Sequence, residues 1–133
     1  MMINKKKQIG FLTGFILIVA IFGLYDFLGL CDNDIIKNLP SKDNAYKAIV
    51  FNRSCGATTS DSVQVSIKRF NDELSDSENG SIFIMDENNI IDAKAINPIW
   101  QTDNILLIKY PKTARIYKKV QSFKGINIDY SIQ

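Results

Sequence analysis

Residues 46–70, "YKAIVFNRSCGATTSDSVQVSIKRF", decide how this chain folds. Both ends of the stretch alternate. Tyr46, Ala48 and Val50 fall on one side and Lys47, Ile49 and Phe51 on the other. Further along, Val63, Val65 and Ile67 oppose Gln64, Ser66 and Lys68. A period of two marks β-strands, because successive side chains of an extended chain point to opposite faces. Between the two strands, "CGATTSDS" reads as their connection. Gly56 admits a positive φ, and the hydroxyls of Thr58, Thr59, Ser60 and Ser62 can satisfy turn amides. The same loop, through Gly56, Thr58, Thr59 and Ser60, is a candidate ligand-contact surface.

Toward the C-terminus the pattern stays short and strand-like. "NDELSDSENG" (71–80) is acidic and ends in Asn-Gly, so it reads as a solvated loop closing in a tight turn. "SIFIMDE" follows as a strand. In "NNIIDAKAINPIW" Asn88 or Asn89 can cap one short helical turn, after which Pro98 and the β-branched residues favour extended chain. "AINPIW" and "NILLIKYP" are two strands joined at "QTDN". The second is apolar on both faces, which places it inside a sheet. "ARIYKKV" and "GINIDYSI" form the last pair. The expected fold is mainly β: a compact antiparallel sheet or sandwich of about seven strands over 46–133.

The N-terminal side is different in kind. Lys5, Lys6 and Lys7 precede an uncharged apolar run from Ile9 to Tyr25, about 26 Å of helix, near the lower limit for spanning a bilayer. Phe27 to Leu30 can extend it, with Asp26 at the outer headgroup level. The basic end predicts a cytoplasmic N-terminus, so residues 1–30 read as a transmembrane anchor in the cell membrane. Residues 31–45, with Pro40 and a turn at "SKDN", read as a polar neck, and everything beyond residue 30 faces outward. A cleaved secretory signal fits less well, since cutting after Ala20 leaves an apolar stub. Lipidation at Cys31 fits poorly too, because Leu30 precedes it.

The net charge of +2 belongs to the anchor. Lys5, Lys6, Lys7 and Asp26 account for all of it, leaving residues 31–133 balanced. A neutral outward domain gives no electrostatic footing for nucleic acid. The chain contains no histidine, which removes Cys-His and Ser-His catalysis and most zinc sites. No metal, cofactor or catalytic residue is assigned. Asp72, Glu73, Asp76 and Glu78 lack the spacing of a calcium loop. Asp86, Glu87, Asp92 and Asp103 supply carboxylates for a hydrolase, although their separation in space is not legible.

Two cysteines, Cys31 and Cys55, both lie on the outward side of the anchor. An even count in an oxidising compartment favours a disulfide. The alternatives are a reactive thiol at Cys55 and two unpaired thiols. Around these residues a resemblance emerges. "KAIVFNRSCGATTSDSVQVSI" resembles the signature of a family of small bacterial membrane-anchored proteins, known only as a domain of unknown function. In that family an upstream cysteine precedes a "KAVVF"-type strand and a Cys-Gly-Ala-Thr-Thr block. The matching positions here are Cys31, Lys47–Phe51, and Cys55, Gly56, Ala57, Thr58 and Thr59. The likeness continues through Gln64–Ile67, Ile82–Ile84, Trp100, Leu106–Pro111 and Ala114–Lys119, nearly the whole outer domain. It implies the anchor, the cysteine pairing and a β-rich outer domain, and brings no activity or catalytic residue. The expected function is a non-enzymatic binding or interaction module, tethered through residues 9–30 and meeting a protein or an envelope polymer. An envelope hydrolase using carboxylates, or an accessory subunit joined through Gly10 and Gly14 of the anchor, are the alternatives.

Overall fold

The computed structural model describes residues 5–27, 30–56, 59–87 and 92–133. The chain divides into two compact units, the first ending at Leu30 and the second running Cys31–Gln133. The first holds one helix, α1 (Lys5–Phe27). Its side chains are described over 9–23 only, so the expectations for Lys5, Lys6, Lys7 and Asp26 lie outside the described residues. Ile9, Leu12, Leu17, Ile18, Ile21 and Phe22 are exposed and are spread around every face of the helix. Among the described residues no helix is long and apolar enough to cross a membrane.

Among its described residues the second unit is all β apart from one 3₁₀ turn, Ala93–Ala95. Nine strands among the described residues form two sheets: β1 (Asp32–Pro40), β2 (Tyr46–Ser54), β3 (Ser62–Arg69), β4 (Phe83–Asp86), β5 (Asn97–Thr102), β6 (Ile105–Tyr110), β7 (Ile116–Lys119), β8 (Ser122–Phe123) and β9 (Ile126–Ile132). One sheet has the order β1-β2-β3-β4-β7 and the other β5-β6-β9-β8. Their inner faces share one core. Ala48, Val50, Val63, Val65, Ile67, Phe83 and Met85 from the first meet Leu106, Ile108, Tyr110, Ile126 and Ile128 from the second, with Ile96 just before β5. Burying each large side chain contributes about 1.5–3 kcal/mol, and Phe83, wholly enclosed, lies within ring-stacking range of Tyr110 and Tyr130.

Three sequence expectations change. The polar neck is largely a strand: β1 pairs with β2 along its length, with a bulge between Ile35 and Lys37. Its composition hides it because both faces of this bulged edge strand are mostly exposed. The last two sequence strands do not pair with each other. β7 pairs with β4 in the first sheet, while β9 lies parallel to β6 and antiparallel to the short β8. That parallel pair also breaks the antiparallel expectation. The turn at 41–44 and the β5–β6 hairpin are as read.

The acidic segment is the third change. It covers the outer face of the first sheet, where Ile49, Phe51, Gln64 and Ser66 are buried. Arg53, also buried, reaches Asn33 Oδ1 and the carbonyls of Asp76 and Glu78 at 2.8–2.9 Å. Asn33 in turn donates to Asp76 Oδ1, Ser75 O and Glu78 O. Lys68 holds the Glu78 carboxylate at 2.8 Å. Gly80 is therefore not the left-handed tip of a tight turn. Its amide donates to Gln64 Oε1, and a Cβ there would sit 2.7 Å from Phe83 O and 2.9 Å from Gln64 Cβ. Close approach requires the glycine, not φ.

The two sheets join at opposite margins by different means. Between β7 and β8 the chain changes sheets: Val120 N donates to Ile82 O, and Ile128 N donates to Gln121 O. The Tyr130 hydroxyl locks that corner, reaching Val120 O at 2.6 Å and Ile82 O at 3.3 Å, and burial pushes its phenol well above the ordinary tyrosine range. At the β1–β5 margin, side chains make the link. Lys37 Nζ donates to Ile96 O (2.7 Å), Asn97 Oδ1 (2.9 Å) and Lys94 O (3.2 Å), and Trp100 Nε1 donates to Leu39 O at 2.9 Å.

Candidate functional site

The end of the first sheet gathers the residues singled out in the sequence. Asp32 stands opposite Ser54 in the β1–β2 ladder, so Cys31 and Cys55 come next as a cross-strand pair. They are joined by a disulfide, 24 positions apart in the chain. Closing a loop of that size stabilises a small domain by about 3 kcal/mol on the chain-entropy model. The bond ties the start of β1 to the end of β2.

Beyond the disulfide the chain turns toward β3. Gly56 is exposed with φ +104°, a region that side chains rarely adopt. Thr59 closes the turn on itself, its amide and its hydroxyl both donating to Gly56 O at 3.4 and 3.3 Å. Ser60 is exposed; Thr58 lies outside the described residues. Asp61 anchors the far side of the loop by accepting from Glu87 N at 3.1 Å.

Register brings further groups to this end. Ser62 opens β3 opposite Asp86, which closes β4. Asp86 Oδ2 accepts from the Tyr117 hydroxyl at 2.9 Å, with Arg115 at 4.0 Å and its guanidinium 5.3 Å above the Tyr117 ring. The bond to Asp86 raises the Tyr117 phenol above its ordinary value. Glu87 Oε2 accepts from Asn52 Nδ2 at 2.7 Å, while Asn52 Oδ1 is buried without a partner. Tyr117 is 57% exposed, an aromatic hydroxyl held outward at the same end as the hydroxyl loop. Nothing in the linear sequence ties Tyr117 to the loop, because only the β4–β7 ladder brings them together.

The four candidate hydrolytic carboxylates do not form a facing pair. Asp86 and Glu87 are consecutive and bond to different strands, as above. Asp92 caps the 3₁₀ turn by accepting from Lys94 N, the role the sequence suggested for Asn88 or Asn89, which lie outside the described residues. Asp103 accepts from Asp43 N at 3.0 Å. Among the described residues no three His, Cys, Asp or Glu side chains gather to hold a metal. No family model, curated protein or solved structure matches the chain.

Proposed function

We propose that this chain is a non-enzymatic binding module displayed on the outer side of a cell membrane, held there by the apolar segment 9–30 with its N-terminus in the cytoplasm. The observation that carries the reading is the Cys31–Cys55 disulfide immediately after that segment. Such bonds persist in oxidising compartments, and this one begins where the apolar run ends. Three lysines before the run supply the orientation. The resemblance to small membrane-anchored proteins, carried by the Cys-Gly-Ala-Thr-Thr block, supports the same placement. A binding role is favoured over hydrolysis because Asp86, Glu87, Asp92 and Asp103 each serve a structural bond.

The test is sidedness. Full-length chain expressed in a bacterial host is expected to stay with the membrane through alkaline carbonate. Protease added to intact spheroplasts should remove residues 31–133. Both cysteines should resist alkylation until a reductant is added. Recovery of the β domain from the cytosol with two free thiols would overturn the reading.

A further inference from the structure

A groove of about 480 Å³ runs beside β9, where the short β8 leaves that strand uncovered. β8 pairs only with Ile126 and Asn127, and the next bond, Ile128 N to Gln121 O, is the last before the chain has crossed to the first sheet. From there β7 and β9 belong to different sheets and leave a mouth between them. Ile105 and the partly buried Tyr130 give the groove apolar surface, while Gln121, Asn127 and Asp129 line it with planar polar groups. These three side chains are exposed and make no hydrogen bond or ion pair within the described residues.

Lys119 completes the groove, and it is held in place. Its ammonium lies 4.8 Å from the Tyr130 ring centroid and 5.3 Å from that of Tyr110, and donates to the Tyr110 hydroxyl at 3.2 Å. An ammonium has three N–H donors, so two remain for a ligand. The groove thus offers a positioned cation, a carboxylate and two amides beside the apolar surface of Ile105 and Tyr130, in a volume typical of small-ligand sites.

We propose that this groove binds saccharide, one or two sugar rings of an outer polymer. Sugar hydroxyls both donate and accept, which matches a carboxylate acceptor, an ammonium donor and amides that do both. The C–H face of a pyranose matches the partly exposed Ile105. Polyanions fit less well, since Asp129 repels what Lys119 attracts. A divalent cation would find one carboxylate where it needs several. This assignment rests on the outward placement proposed above, but its test does not.

Full-length protein in detergent, with side-chain amides followed by NMR, is titrated with chitobiose, cellobiose and a uronic-acid disaccharide at millimolar concentrations. At least one is expected to shift the Gln121 and Asn127 amides. Asp129→Asn and Asn127→Ala should each weaken that sugar about tenfold or more while leaving thermal unfolding unchanged. Lys119→Met should do likewise, and its unfolding curve checks that the tyrosine corner has survived. No shift with any of the three sugars would overturn the proposal, as would shifts that Asp129→Asn leaves intact. A Thr-Val alternating peptide that protects the Tyr130 and Ile132 amides while the sugars do nothing would assign the groove to strand addition instead. Sidedness measured as above stands or falls separately from all of these outcomes.

Discussion

Lys37 shows how much one side chain can decide. It sits on an edge strand, yet its ammonium is used up by three oxygens from the neighbouring sheet. Lys37→Met should lower stability by about 2 kcal/mol, the cost of hydrogen bonds to a charged group, read from urea unfolding. An unchanged midpoint would mean the margin closes without it. Gly80 is the opposite case, a residue defined by what it lacks. Gly80→Ala would press a methyl against backbone and Cβ atoms that cannot swing away, costing about 1–3 kcal/mol and loosening the acidic cover first. Amide exchange over 70–82 is the direct measurement. Asp43 carries a pH signature. Its carboxylate accepts from Ser41 Oγ and Ala45 N, which hold its pKa below the usual aspartate value. A lowered folded pKa stabilises the turn fully above the ordinary value, and that contribution disappears as pH falls through the folded one. Exchange of the Ala45 amide should therefore stay slow near pH 4 and quicken only in stronger acid, a dependence that Asp43→Ala should remove.

Among the elements, the β7–β8 corner concentrates the fold's connectivity. Tyr130→Phe keeps the ring against Phe83 and Tyr110 but deletes the bonds to Val120 O and Ile82 O. A loss of about 1–2 kcal/mol is expected in chemical unfolding. A silent substitution would show that the strand changes sheets without that latch. The same corner explains where sequence reading stops. β2, β3, β5 and β6 were legible because each has an alternating or doubly apolar run, and hairpin partners are near in sequence. β7 and β9 were legible as strands but not as partners, since Phe83 chose β7 and Leu106 chose β9 across long separations. β8 is two residues long and carries no pattern at all. The hydroxyl loop could be located, and the cysteines flanking it could be named. Tyr117 and Asn52 could not be joined to it, because cross-strand register, not spacing, sets those distances.

At the scale of the molecule, one covalent bond and one shared core hold the β unit together. Replacing both Cys31 and Cys55 by serine should reduce stability by about 3 kcal/mol, a large share of the margin of a domain this size. Fraying should begin at the start of β1, which is then held by its ladder with β2 and by the Asn33 bonds to Ser75, Asp76 and Glu78. Differential scanning calorimetry with and without reductant measures the first statement, and amide exchange along 32–40 the second. The order of strands in the second sheet carries a further implication. β9 is the last of the described strands yet sits in the interior of its sheet, between β6 and β8. A ribosome that has made β5 and β6 has produced a hairpin whose main neighbour does not yet exist. The second sheet must therefore await synthesis of residues 126–132, and stop codons within that strand should yield material destined for degradation.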